Sequence, residues 1–368
     1  MARPIHLNGT DLTLGGDRVF LIAEIGKNFI VTEEDRPLSE YLANAKRLID
    51  LATLSDADAV KFQTHEVEDE QLPVQIVSPH FKGKDRLSWV TRNTNATPFE
   101  GFWKPISEYA KEKGIIFFST PMSRKAAQKI NSLDLPLWKV GSGDVTDRVL
   151  LSYLKSTGKP VIISTGMISR AELDSVVSFF GAEYPLAILY CVSEYPAPAE
   201  SFNLASLEYI KEQYPDITVG FSDHSIGFNN IALSALKLGA TIIEKHFSFS
   251  RDLLGSDHKV SMTPPEFKEL SEIIRSKKYM EVDTVPFYGD RNREFEGATN
   301  QFRPYFNKGL VAGRDIKKGE KITAEMVYAM RPRVALAGIP AEHVDIVIGR
   351  DAKADIKKYE AISADNIN

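Results

Sequence analysis

The chain has 368 residues, of which 43% are hydrophobic and 26% charged, with a net charge of −5. That size admits two domains, or one large barrel plus a small domain, around a sizeable core. The charge gives no reason to expect nucleic acid or a membrane as partner, and the single cysteine, Cys191, excludes an intrachain disulfide.

The first residues lack the apolar core of a signal peptide, and no apolar run reaches membrane-spanning length. A soluble, cytoplasmic protein is the expectation. Apolar, β-branched runs then recur at 19–25, 59–63, 115–120, 137–140, 161–165, 186–192, 218–221 and 241–247. Segments of helical periodicity alternate with them at 38–52, 99–113, 124–133, 149–157, 171–180, 204–214, 229–238 and 265–275. Near-continuous apolar strands mean a sheet covered on both faces. Eight strand–helix units over roughly 250 residues predict a closed (β/α)8 TIM barrel. An open doubly wound sheet would carry a glycine-rich turn after its first strand, and Glu24-Ile25-Gly26-Lys27-Asn28 is not one.

The long loop 66–98 is a candidate lid. After 275 the pattern fades, so the domains are read as a barrel over 1–280, a polar linker over 281–303 and a small β-rich unit over 304–368. About 65 residues is close to the lower limit for a self-sufficient core, so this unit is expected to pack on something.

In a barrel the site lies at the carboxyl ends of the strands. His224 and His246 end successive strands, which parallel pairing brings side by side, and two such imidazoles can hold one divalent ion. Lys61 and Lys139 interrupt apolar strands. A buried lysine needs an anion, and Ser142, Ser164 and Ser222 nearby suit a phosphate or carboxylate. Internal pairing, for instance with Glu244, is the alternative, and it is live for Lys245. Glu24 suits general acid/base work or a salt bridge to Lys61. Tyr195 could be a core ring or a substrate contact. His65 and His258 are weaker metal candidates. His6, His80 and His343 read as surface residues, and Cys191 as a packed, inert thiol.

An ordered set of stretches carries a resemblance over nearly the whole chain. They include Ile22-Ala23-Glu24-Ile25-Gly26, Ala59-Val60-Lys61-Phe62-Gln63, Ser119-Thr120-Pro121, Lys139-Val140-Gly141-Ser142-Gly143 and Ser164-Thr165-Gly166-Met167. Ser193-Glu194-Tyr195-Pro196, Gly220-Phe221-Ser222-Asp223-His224, Glu244-Lys245-His246-Phe247 and Gly255-Ser256-Asp257-His258 continue it. The sequence resembles the sialic acid synthase family, with its legionaminic and pseudaminic acid synthases. The tail is similar to that family's antifreeze-like, or SAF, domain through Asp315-Ile316-Lys317-Lys318-Gly319-Glu320 and Arg331-Pro332.

The resemblance implies condensation of phosphoenolpyruvate with an N-acylated amino sugar, such as N-acetylmannosamine, to give a nonulosonic acid and phosphate. Lys61, Thr120, Lys139, Ser142, Ser164, Ser193 and Ser222 would hold phosphoenolpyruvate. His224 and His246 would bind Mn2+ or Mg2+. Gln63, Tyr195 and Asp257 would contact the sugar, and Glu24 would be the catalytic carboxylate. A domain-swapped homodimer is also implied, one chain's tail capping the other's barrel and supplying Arg331 to the acyl group.

Three departures stand out. Phe29-Ile30-Val31 replaces the family's usual His-x-Gly after Asn28, the segment after Arg331-Pro332 is altered, and Asp56 replaces a glycine. The first points to a different sugar. Two competing readings are a synthase acting on a phosphorylated sugar, for which Lys82, Lys84, Arg86 and Arg92 would supply charge, and a non-catalytic sugar- or partner-binding barrel.

Overall fold

The computed structural model describes residues 2–77, 85–226 and 230–368. His80, Lys82 and Lys84, with residues 78–84 of the expected lid, lie outside the described residues, as does the start of the helical segment expected at 229–238.

Eight strands form one sheet: β1 (Phe20–Gly26), β2 (Ala59–Thr64), β3 (Ile116–Pro121), β4 (Trp138–Val140), β5 (Val161–Ser164), β6 (Leu186–Cys191), β7 (Thr218–Asp223) and β8 (Ile242–His246). They pair in parallel in the order β3-β2-β1-β8-β7-β6-β5-β4, and β3 lies against β4, which closes the barrel. Between the strands run helices whose first turns are capped by Ser123, Asp147, and the reciprocal pair Ser169 and Glu172.

Strand parity builds the interior. Successive side chains point to opposite faces. Leu21, Val60, Phe62, Ile163 and Ile243 face outward onto the helices. Phe20, Ile22, Ala59, Leu137, Ile162 and Ile242 face inward and fill the amino-terminal half of the barrel. A hairpin of Ile5–His6 with Thr13–Leu14 plugs that end through Ile5 and Leu14. Continuing the inward parity along each strand gives Glu24, Lys61, Gln63, Lys139, Ser164, Cys191, Glu244 and His246. The carboxyl-terminal half of the interior is therefore polar.

Two departures have local explanations. Asp56 has a φ of 61°, the left-handed region that favours glycine and admits aspartate, and its Oδ2 accepts from Arg275 Nε at 2.9 Å. Phe29 is 1% exposed and packs among the rings of Tyr41, Phe62 and Phe102, so it lies in the core.

The chain beyond Arg275 is bound to the barrel. Its C-terminal unit pairs β9 (Gly309–Ala312) antiparallel with β10 (Val327–Met330), and Val149 of a barrel helix joins its apolar core. The resemblance implied that this unit caps a partner's barrel. Within the single chain described, it lies against the barrel, with Arg331 N donating to Glu70 O at 3.0 Å and Leu72 N to Arg331 O at 2.9 Å.

Asp69 is buried at this junction. Its Oδ2 accepts from Lys125 N at 2.8 Å while Oδ1 has no hydrogen-bond partner. Burial pushes its carboxyl up to about 6 from 3.8. A carboxyl with a raised folded-state pKa favours the fold when protonated. That contribution is present below the unfolded value and is lost as pH rises toward 6. Asp69→Asn is therefore expected to melt higher than the parent above pH 6, by up to about 3 kcal/mol, and alike below pH 4. Coincident melting curves at pH 8 would refute this.

Candidate active site

The floor of the site follows from register. Glu24 on β1 is paired across the sheet with Lys61 on β2 and with His246 on β8. Lys61 Nζ lies 2.7 Å from Glu24 Oε2 and 3.7 Å from Glu244 Oε2, and donates to Thr120 Oγ1 at 3.1 Å. Lys139 Nζ donates to Ser164 Oγ at 2.7 Å and lies 3.9 Å from Glu244 Oε1, which also accepts from Ser222 Oγ at 3.1 Å. Ser142 Oγ accepts from Gly166 N at 3.1 Å.

Burial raises the pKa of Glu24, and Lys61 only partly opposes it. Burial would also lower Lys61, but Glu24 and Glu244 outweigh it, so this ammonium stays charged. Lys139, with less compensation, is lowered by burial. For Glu244 burial is outweighed by Lys139 and Lys61, which bring the carboxyl down to about 2. The floor thus holds two ammonium groups, one firm carboxylate and, in Glu24, a carboxyl poised to take up a proton.

At the rim the rings of His224 and His246 are 5.3 Å apart. His224 Nδ1 meets Val192 O at 2.8 Å, so Nδ1 carries a proton, and although burial lowers the pKa of this ring, Cys191 and Val192 O outweigh it and raise it. His246 Nδ1 is buried with no hydrogen-bond partner, and burial lowers its pKa to about 3, which leaves the imidazole neutral. Two imidazoles placed side by side fit a divalent cation, which His224 would ligate through Nε2 on losing the proton there. No group of three or more His, Cys, Asp or Glu among the described residues converges as a cage. A cation here would keep positions open for substrate or water. Tyr195 stacks 4.2 Å from His224 and faces the chamber.

The upper wall comes from loops. Gln63 Nε2 donates to Glu24 Oε1 and Lys27 Nζ to Gln63 Oε1, both at 2.7 Å. Lys27 lies 3.6 Å from Asp257 Oδ2. Arg331 pairs with Asp144, which also takes Lys308 Nζ at 2.7 Å. Glu70 holds His65 Nδ1 at 2.8 Å and Arg86 Nη2 at 2.7 Å. The resulting chamber, about 110 Å3, opens onto an antechamber of about 500 Å3 through Lys27, Trp89, Tyr195 and Asp257.

All fourteen residues singled out in the sequence line this one chamber. It also takes in Arg86, Trp89, Asp144, Cys191 and Phe306. Arg86, from the segment expected to form a lid, is buried at 5% exposed. Cys191 is packed, as expected, but at the chamber rather than in the apolar core. Its Sγ faces the chamber, 3.8 Å from His224 Nδ1 and 3.7 Å from Ser142 Oγ. Lys245 pairs with Asp223 at 2.7 Å, on the outward parity. His65 is engaged by Glu70. His258 is engaged by Ser248 at 2.6 Å and Ile30 O at 3.3 Å. Neither is placed as a metal ligand.

A closed barrel with cations and hydroxyls on its floor and histidines above them is suited to holding a small phosphorylated acid beneath an acceptor, which is the work of a sugar-acid synthase. Residues 48–284 match the NeuB family and residues 307–368 match the SAF domain. The chain belongs to the NeuB family, the phosphoenolpyruvate-dependent synthases of the sialic acid type. It is 31% identical to the N,N'-diacetyllegionaminic acid synthase of Campylobacter jejuni over 91% of this chain and 99% of that one. It is 29% identical to human N-acetylneuraminate-9-phosphate synthase over 93% of this chain and 91% of that one. The crystal structure of the spore coat polysaccharide biosynthesis protein SpsE of Bacillus subtilis matches with a TM-score of 0.79 and 27% identity, over 99% of both chains.

Proposed function

We propose that this protein condenses phosphoenolpyruvate with an N-acylated amino sugar to give a nonulosonic acid and phosphate. The observation that carries this reading is the pair of buried lysines, Lys61 and Lys139, each with a hydroxyl against its Nζ, in the chamber that His224 and His246 also line. These lysines, with Thr120, Ser142, Ser164, Ser193 and Ser222, suit the phosphate and carboxylate of phosphoenolpyruvate. Gln63, Tyr195, Asp257 and Arg331 would then meet the sugar.

C3 of phosphoenolpyruvate attacks the aldehyde carbon of the open-chain sugar, forming the C–C bond. Water adds to the cation left at C2, and the tetrahedral intermediate expels phosphate by C–O cleavage. Glu24, with its raised pKa, takes the proton released by that water. Lys61 and Lys139 stabilise the charge leaving on phosphate. His224 and His246 would hold Mn2+ or Mg2+, which when bound supplies Lewis-acid polarisation of the aldehyde. The single buried cysteine fits a reducing, cytoplasmic place of action, and no helix among the described residues is long and apolar enough to cross a membrane.

A phosphorylated acceptor is the second reading, favoured by Arg86 in the chamber wall. Glu70 already neutralises that charge at 2.7 Å, which favours an uncharged sugar. The test is phosphate release from phosphoenolpyruvate with N-acetylmannosamine, a 2,4-diacetamido-trideoxyhexose and a sugar phosphate, each with and without chelator. Chelator-sensitive release with one sugar supports the reading and names the acceptor. A lack of release with every sugar, together with no phosphoenolpyruvate binding by calorimetry, would sink it. Arg86→Met is expected to raise KM for the acceptor about tenfold, the size of one hydrogen bond to a charged group, and to leave KM for phosphoenolpyruvate unchanged.

A further inference from the structure

Lys27 is the first residue beyond β1, and the backbone beneath it sets its path. The pairing of β1 with β2 shifts register between Glu24 and Gly26, and Gly26 takes a φ of 53°, in the left-handed region that favours glycine. A Cβ added at Gly26 would lie 3.1 Å from Gln63 Nε2, 3.1 Å from Glu24 Oε1 and 3.5 Å from Asp257 Oδ2. Glycine therefore leaves open the space where these three side chains converge. Asn28 pins the turn from the other side, its Nδ2 donating to Phe247 O and to Ser261 Oγ, both at 2.9 Å. Between these two anchors Lys27 stands at the neck that joins chamber and antechamber.

Three partners surround its Nζ. Gln63 Oε1 accepts at 2.7 Å, Asp257 Oδ2 lies at 3.6 Å, and the ring of Trp89 lies beneath it at 4.0 Å. Burial lowers the pKa of Lys27 and Asp257 opposes it, and a carboxylate and a ring face both suit the charged ammonium. An ammonium can only donate, so the Gln63 atom against it is the carbonyl oxygen. Nε2 is then left at the other corner of the amide, where it donates to Glu24 Oε1 at 2.7 Å. A carboxylate can only accept, so both neighbours of the amide demand the same orientation. The other oxygen of Glu24 lies 2.7 Å from Lys61 Nζ. Turned over, the amide would set oxygen against oxygen at Glu24, and one of the two groups that aim this carboxyl would be lost.

We infer that Lys27 is a positioning residue that acts through Gln63, fixing its amide so that an N–H and not a carbonyl faces Glu24. The effect on turnover rests on the synthase reading, and the orientation of the amide does not.

Lys27→Met keeps the length of the side chain and removes the donor. It is expected to lower kcat about 10-fold and to raise KM for the sugar about 10-fold, the size of one hydrogen bond to a charged group, with KM for phosphoenolpyruvate unchanged. Lys27→Arg keeps a charged donor beside the wider antechamber and should restore most of the loss. In a Gln63→Met background the change Lys27→Met should cost kcat less than about 2-fold, because no amide is left to orient. An equal loss of kcat in both backgrounds would overturn the inference. Lys27→Ala, which admits water from the antechamber, takes the place of Lys27→Met should that variant not fold. The amide is also read without turnover, from the side-chain NH2 signal of Gln63 in protein carrying isotopically labelled glutamine, assigned by its loss in Gln63→Met. Lys27→Met should move this signal and Lys27→Arg should leave it close to its place in the parent. If the parent releases phosphate with no sugar, the synthase reading falls and this signal alone decides the role of Lys27. A signal that Lys27→Met leaves unmoved would refute it.

Discussion

Lys61→Met is expected to abolish turnover, by about 1,000-fold or more, and to destabilise the fold by about 3–5 kcal/mol near neutral pH. Lys61 is the one cation within 4 Å of both Glu24 and Glu244 among the described residues. Methionine keeps the length of the side chain and removes the charge. Two buried carboxylates then share the floor, with Lys139 near Glu244 only. Glu24 already has a raised pKa through burial, and loss of Lys61 raises it further. The sign follows. A carboxyl whose folded-state pKa exceeds its unfolded value near 4.5 destabilises the fold as pH climbs through the folded-state value. The deficit of the variant should therefore be small at pH 4 and grow toward pH 8, as read by denaturant melts at each pH. Adding Glu24→Gln should recover most of the stability and none of the activity, because the charge conflict is removed while the anion site stays incomplete. Equal stability of the variant and the parent at pH 8 would mean that Lys61 is not the counter-ion of this pair.

The same parity that places Lys61 explains what could be read in advance. Near-continuous apolar strands announced a covered parallel sheet, and lysines interrupting them announced an anion. Counting by twos from Phe20, Ala59, Leu137 and Ile242 reaches Glu24, Lys61, Lys139 and Glu244. The same count from Ala187 and Leu189 reaches Cys191 and would have exposed it as a chamber residue. It also turns Lys245 away from Glu244, since adjacent strand residues face opposite sides, and Lys245 duly pairs with Asp223. Arg86, Trp89 and Phe306 carry no such signal. They arrive from the helix 86–96 and from the start of the C-terminal unit, whose placement depends on tertiary contacts with Glu70 and Gly143, and spacing alone cannot register those contacts.

His246→Ala should lower the affinity for Mn2+ by at least about 10–100-fold and make the residual activity insensitive to chelator, with the metal-free fold unchanged. His246 Nδ1 has no hydrogen-bond partner to lose, so the substitution strands no donor or acceptor in the fold. His224→Ala should likewise abolish metal-dependent turnover and leave the fold intact. It differs in also breaking the Nδ1 bond to Val192 O, which costs about 1 kcal/mol that His246→Ala does not. The two variants therefore separate binding from structure: both lose the metal, and only His224→Ala melts slightly lower. Calorimetric titration of Mn2+ into each protein, beside a thermal melt in chelator, reads both quantities. Unchanged metal affinity in either variant would remove that histidine from the cation site, and the floor of lysines and serines would then have to act on phosphoenolpyruvate without a cation held by this pair.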